Sequence, residues 1–209
     1  VLRPGEEISV GATTLMFTDL RNSTQMYREI GDAPAFGRVR EHFDILEQAV
    51  AAEGGSIVKT MGDAIMAAFR HPVSAMRAIW IVQKQIAARG DPPLSLKVGI
   101  HHGPCIIVNL NDRLDYFGST VNIAARLPNF SMGGEVILSE PIRNDPEVVE
   151  FLEKNALPNS LSRFQGEIRS RRRAFQARGR RAGHRALRPA QRRPLSRRNR
   201  GRSQCAPAR

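Results

Sequence analysis

Val58-Lys59-Thr60-Met61-Gly62-Asp63-Ala64-Ile65-Met66-Ala67-Ala68-Phe69 is the stretch on which the fold turns. Residues 57–59 and 64–69 read as two short strands, and Met61-Gly62-Asp63 between them is turn chemistry, so the segment predicts a hairpin. Upstream, Gly54-Gly55 ends a helix expected over 33–52, whose Phe36, Val39, Phe43, Leu46 and Val50 recur at helical spacing. A shorter helix precedes it, opened by Asn22-Ser23-Thr24 and broken at Gly31-Asp32. Before that lies 13–17, a β-branched and apolar run that reads as a buried strand ending at Asp19. Downstream, residues 72–88 form an amphipathic helix with Val73, Met76, Ile79, Trp80 and Ile86 as its stripe. Strands are expected at 94–100 and 105–109, parted by His101-His102-Gly103-Pro104 read as a turn. A polar turn at 112–115, a short helix at 119–127, a strand at 135–138 and a last helix at 141–155 follow. The order β-α-β-β-α-β with later additions predicts an α+β fold. It has a ferredoxin-like core, with an antiparallel sheet and helices packed on one face of it.

At 209 residues the chain is one domain with an appendage, and 41% hydrophobic residues suffice for a real core. No apolar run approaches the roughly 18 residues of a membrane span, and no signal-peptide pattern opens the chain. Cys105 and Cys205 lie far apart in unlike sequence, so a reducing, cytoplasmic location is expected. A chain that starts at Val1 is expected to be a piece of something longer. The net charge of +12 is not spread evenly: residues 163–209 hold 17 arginines, no lysine and one acid, Glu167. Residues 1–162 hold 15 bases against 19 acids, so the body is mildly acidic. We therefore expect a lead-in over 1–10, one folded domain over 11–157, and an arginine-rich tail over 158–209. That tail lacks the apolar periodicity to offset its ordering entropy and is expected to be disordered.

Two carboxylates carry the chemistry. Asp19, in the run FTDLRNST, ends a buried strand just before a helix start; a dry wall behind it and free backbone N–H groups beyond it suit a metal that also holds phosphate oxygens. Asp63 sits at the hairpin tip in VKTMGDAIMAAF. Each alone is ordinary cap or turn chemistry. In a β-α-β-β plan, however, the end of the first strand and the hairpin turn lie side by side. Such a pair can hold two metal ions about 4 Å apart.

The runs FTDLRNST, VKTMGDAIMAAF, LKVGIHHGPC and LDYFGSTVNIAARL resemble successive signature motifs of class III adenylyl and guanylyl cyclases, in order, over about residues 12–140. The resemblance implies that 11–157 is a nucleotidyl cyclase catalytic domain. It implies that Asp19, Asp63 and the backbone carbonyl of Leu20 bind two Mg²⁺ or Mn²⁺ ions per site, and that Lys59 with Asp115 reads the base. It assigns ribose positioning to Asn122, transition-state stabilisation to Arg126 and a triphosphate contact to Lys97, and it makes Asn22, Ser23 and Thr24 the phosphate loop. It implies ATP as substrate, cyclic AMP and pyrophosphate as products, and a head-to-tail homodimer whose metal carboxylates come from one chain and whose Lys, Asp, Asn and Arg come from the other.

Elementary chemistry agrees with these roles. Adenine offers an amine donor beside a ring-nitrogen acceptor, which an Asp and a Lys complement; guanine reverses that pattern. Asn122 and Arg126, at i and i+4, share one helix face. Asp63 follows Lys59 by four residues, yet the two should serve opposite ends of one nucleotide, which favours a site shared between copies.

Two departures from the family pattern stand out. Asn22 occupies a position where the family has Gly, and Asn tolerates unusual backbone angles. Gln165-Gly166 stands where a Lys-Gly step is usual, with arginines after it in place of apolar strands; an out-of-frame reading and a genuine basic tail both fit. Other readings are a nucleotide-binding regulator of the same fold without turnover, and nonspecific polyanion or nucleic-acid binding through the tail, which carries no aromatic interleaving beyond Phe164 and Phe175. His101 and His102 read as a turn pair without metal partners, and Cys105 as a small buried hydrophobe.

Overall fold

The computed structural model describes residues 7–89, 94–110, 113–157 and 170–173. All of them fall in one unit, residues 1–179. Its centre is β1 (Glu7–Leu20), whose segment from Thr13 to Thr18 is buried on both faces. One edge of β1 pairs antiparallel with β3 (Ala64–Phe69), from Thr14 opposite Phe69 to Thr18 opposite Ile65. The other edge pairs antiparallel with β4 (Leu96–Leu110) along its whole length, from Glu7 opposite Asn109 to Leu20 opposite Leu96. With β2 (Ser56–Met61) hairpinned onto β3, the core order is β2-β3-β1-β4, the expected ferredoxin-like arrangement.

The sheet differs from expectation beyond that core. The two strands expected at 94–100 and 105–109 are one strand, β4, because β1 offers an unbroken partner and Pro104, opposite Ala12, accepts an extended backbone. His101 and His102 are therefore strand residues and not a turn. The interruption instead marks where β4 changes its outer neighbour. Lys97 to Ile100 pair with β6 (Glu135–Ser139), and Ile106 to Leu110 pair with β5 (Arg113–Phe117). The β4–β6 pair is parallel, so the full sheet is mixed. The polar turn expected at 112–115 gives way to β5, which places Asp115 on a strand. The sheet also reaches into the segments read as lead-in and tail. Glu7 to Val10 belong to β1, and the backbone of β7 (Ser170–Arg173) lies antiparallel on β6. The remainder of 158–209, Gln165-Gly166 included, lies outside the described residues.

The helices among the described residues are α1 (Ser23–Ile30), α2 (Asp32–Ala52), α3 (Pro72–Ala88), α4 (Ser119–Arg126), α5 (Glu140–Arg143) and α6 (Pro146–Lys154), with a 3-10 turn at Leu127–Phe130. The expected helix at 141–155 is split because Asp145 caps a new start, accepting from the Val148 N–H at 3.1 Å, with Pro146 behind it. Side chains alternate across the central strands. Met16, Leu20, Ile65, Ala67, Phe69, Val98 and Ile100 face the large core formed with α2, α3 and α6. Leu15, Phe17, Met66 and Ala68 face a second cluster closed by Ala124 and Val121 of α4 and by Val58 and Tyr116. Helices thus cover both faces, where one was expected. Each fully buried Leu or Ile in these layers stabilises the fold by about 2 kcal/mol. On α2 the buried stripe is Ala35, Val39, His42, Ile45, Leu46, Ala49 and Val50; Phe36 is 58% exposed, and His42 takes a core position. No helix among the described residues is long and apolar enough to cross a membrane.

Candidate active site

Asp19 emerges at the end of the central strand pair. The last β1–β3 partners are Thr18 and Ile65, so Asp19 and the turn residue Asp63 leave the sheet at the same end. The Asp19 carboxylate is 37% exposed, and its Oδ2 lies 3.4 Å from Nζ of Lys97, the residue directly opposite it on β4. Asp63 is half-buried, and its Oδ2 is buried without a hydrogen-bond partner. Two carboxylates at one end of the sheet offer a hard-oxygen donor set. That suits Mg²⁺ or Mn²⁺, which take one or two carboxylates and fill the remaining positions with water and substrate phosphate. Among the described residues no group of three or more His, Cys, Asp or Glu forms a closed metal cage.

Directly after Leu20 the chain turns sharply. Asn22 has φ 58° and ψ 27°, the left-handed conformation that its short amide side chain tolerates better than most. Helix α1 then starts with Ser23 and Thr24 in its first turn, without a side-chain cap and without an acid there. Its first amides and its dipole are thereby open to an anion beside Asp19. Arg21 is tied down by its N–H, which donates to the Ser95 carbonyl at 2.8 Å, and it passes Gly133, where a Cβ would meet Arg21 Cδ at 2.7 Å.

Lys59 and Asp115 meet although β3, β1 and β4 separate their strands in the sheet order. The sheet curls so that β5 comes over the second cluster to β2, with Val58 and Tyr116 packed in the same layer. Lys59 Nζ lies 2.9 and 3.2 Å from the two carboxylate oxygens of Asp115. Burial alone would push the Asp115 carboxyl up. The Lys59 hydrogen bond and charge, with the Tyr116 N–H on Oδ1, outweigh it and hold the group below its ordinary value. Over the same face, α4 is pinned by buried Thr120, whose hydroxyl donates to the Pro104 carbonyl, and by Ala124. Asn122 and Arg126 stand exposed on this helix.

The structure thus gathers Asp19, Asp63, Lys97 and the Asn22 loop at one strand end, and places Lys59, Asp115 and α4 on one sheet face. Lys97, expected on the triphosphate, is here paired with Asp19. His42 is a site neighbour that sequence reasoning missed. It is fully buried on α2, and burial lowers its pKa to about 4 against the opposing pull of Asp63. A histidine at i+3 from Val39 and i−4 from Leu46 was the available signal.

Comparison with known proteins identifies the family. The chain matches the adenylate and guanylate cyclase catalytic domain over residues 6–156, and it belongs to that family. It is 28% identical to an adenylate cyclase of Lachancea kluyveri over 193 residues, 79% of this chain and 10% of that protein. It is 30% identical to adenylate cyclase 1 of Rhizobium meliloti over 146 residues, 60% of this chain and 22% of that protein. The chain therefore spans a small part of the length of these relatives. In structure it resembles the adenylyl cyclase CyaB from P. aeruginosa, with a TM-score of 0.67 at 21% identity, covering 82% of this chain and 98% of that one. It also resembles the catalytic core of a rhodopsin-guanylyl cyclase with converted specificity in complex with ATPalphaS, with a TM-score of 0.65 at 18% identity, covering 81% and 100%.

Proposed function

We propose that the chain is the catalytic domain of an adenylate cyclase that converts ATP to 3′,5′-cyclic AMP and pyrophosphate at sites shared between two copies. The observation that carries the choice of ATP is the Lys59–Asp115 pair, a donor beside an acceptor at 2.9 Å on the face that α4 overlooks. Lys59 donates to an adenine ring nitrogen and Asp115 accepts from the exocyclic amine; guanine would leave both groups mismatched. Two Mg²⁺ or Mn²⁺ ions, held by Asp19, Asp63 and the Leu20 carbonyl, would supply charge neutralisation on the triphosphate and a lowered pKa for the ribose 3′-hydroxyl. Asn122 holds the ribose so that its 3′-oxygen is in line with the α-phosphorus. The 3′-oxygen bonds to that phosphorus as the bond to the β-phosphate bridging oxygen breaks, and the hydroxyl proton passes to water or a substrate phosphate. Arg126 stabilises the equatorial oxygens of the transition state. The Asn22-Ser23-Thr24 amides cradle the triphosphate, and Lys97 exchanges Asp19 for phosphate oxygens when substrate arrives.

The shared site is supported by the opposed directions of two neighbours in the hairpin. Lys59 reaches β5 over the second cluster, whereas the charge of Asp63 is felt by His42 in the layer under α2. One chain therefore presents its base-reading pair to one site and its carboxylates to another, and a head-to-tail homodimer completes both sites. A cytoplasmic location fits a domain that consumes ATP. Incubation of the purified protein with ATP or GTP and Mg²⁺ or Mn²⁺, followed by product identification, tests the reading. Cyclic AMP is the expected product, and equal rates on GTP, or no cyclic product, would contradict it.

A further inference from the structure

Among the buried side-chain atoms of the described residues that lack a hydrogen-bond partner, beside those of Gln83 and Asn109, are both ring nitrogens of His42, Oδ2 of Asp63 and Oγ1 of Thr18. Buried polar atoms without partners are rare, and each calls for an explanation. His42 and Thr18 face the same core layer, between α2 and the sheet. Thr18 shares the face of β1 with Met16 and Leu20, which look into the helix-covered core, and it is paired with Ile65, two residues beyond Asp63. His42 is on the inward stripe of α2, level with Leu94, Ile86 and Arg89, which with it line one small cavity just before β4 begins at Leu96. The Asp63 charge reaches the ring, acting against the burial that keeps the imidazole neutral. A neutral imidazole owns one N–H donor and one acceptor, and a carboxylate oxygen needs a donor.

We propose that His42 is a positioning residue for Asp63, its ring N–H serving the buried Oδ2 through an internal water that Thr18 also holds. No direct hydrogen bond joins the groups, and a site with three polar partners is the kind that retains one ordered water. The consequence is orientation. With Oδ2 satisfied from beneath, the carboxylate is fixed with its other oxygen toward the strand end where Asp19 emerges. A carboxylate locked in this way binds a cation without first losing side-chain freedom, and partners behind a ligand typically change metal affinity by 10- to 100-fold.

This inference rests on the metal role given to Asp63 above, and the experiment separates the two. Mn²⁺ binding is measured by electron paramagnetic resonance on purified full chain, in the presence of a non-cyclisable ATP analogue, for wild type, His42→Leu and His42→Gln. Binding by wild type, an at least tenfold weaker Mn²⁺ affinity in His42→Leu at an unchanged melting temperature, and substantial recovery in His42→Gln are expected. A wild type without Mn²⁺ affinity overturns the metal reading and this one with it. A wild type that binds, alongside a His42→Leu that binds equally well, overturns only the role of His42. Should the leucine variant not fold, the unmutated protein decides. Mg²⁺ titrated into ¹⁵N-histidine-labelled chain should shift the His42 ring nitrogens and leave those of His71 in place. An unmoved His42 resonance at saturating Mg²⁺ contradicts the proposal.

Discussion

Replacing Asp115 by Ala should separate stability from specificity. The carboxylate lies 2.9 and 3.2 Å from Lys59 Nζ, with the two side chains 32% and 42% exposed. Solvent screens a pair of that exposure, and such surface ion pairs stabilise a fold by about 0–1 kcal/mol. The Tyr116 N–H that Asp115 also accepts can turn to water. The melting temperature should therefore drop by no more than about 4 °C for a domain of this size. Against a bound adenine the same carboxylate counts for more. A lost hydrogen bond to a charged group costs about 1.5–3 kcal/mol. That corresponds to roughly a 10- to 150-fold fall in kcat/KM for ATP. GTP, which gains nothing from the Asp, should lose less, so the ATP-to-GTP ratio narrows. Thermal melting and kcat/KM on both nucleotides check this. A melting temperature lowered by more than about 10 °C, with equal losses on the two nucleotides, would show that the pair holds the β2–β5 contact and does not read the base.

Asp19→Ala and Asp63→Ala should each abolish turnover with Mg²⁺ and with Mn²⁺ while the protein stays folded, with a melting temperature lowered by no more than about 4 °C; near-normal activity in either would remove it from the metal site. Gly99→Ala should cost about 1–3 kcal/mol and lower kcat, because a Cβ there would meet Leu127 and lie 2.7 Å from Pro128 Cδ in the turn that follows Arg126; denaturant melts and steady-state rates measure both effects. Burial lowers the pKa of His101 to about 4, aided by neighbouring His102, and burial also lowers that of His42 to about 4. The unfolded chain takes up these protons below about pH 6.5 and the folded chain only near 4, so stability is full above 6.5 and falls as pH drops toward 4, by up to about 1.4 kcal/mol per unit for each ring. Urea midpoints at pH 7 and 5 should show this fall, and His101→Gln should roughly halve it.

What the sequence made legible was what depends on local pattern. The hairpin around Gly62-Asp63, the strand ending at Asp19, and the i, i+4 pair on α4 are written in periodicity and turn residues, and all three stand in the structure. What it concealed depends on partners distant in the chain. His101-His102-Gly103-Pro104 has the composition of a turn, and only the pairing with residues 12–15 makes it strand; His101 then finds the Ser139 hydroxyl at 2.7 Å, and His102 finds that of Thr14 at 2.9 Å. Lys97 carries no local sign of Asp19, its cross-strand neighbour from 78 residues away. His42 was hidden by its type, since a polar residue in an apolar stripe reads as a gap until burial is seen. The parallel docking of β6 and the strand at Ser170–Arg173 likewise depend on an available sheet edge and not on their own composition.

The proposed site draws on two chains, and two inactive variants should therefore complement each other when mixed. Asp19→Ala alone lacks a metal carboxylate, and Arg126→Ala alone lacks transition-state stabilisation, so each homodimer should be nearly inactive. In a mixed dimer one site receives both defects, while the other receives an intact Asp19 from one chain and an intact Arg126 from the other. Random exchange makes about half the dimers mixed, each with one complete site of two, so activity should return to about a quarter of wild type. A mixture as inactive as its parents, with subunit exchange demonstrated by labelled chains, would contradict the shared site.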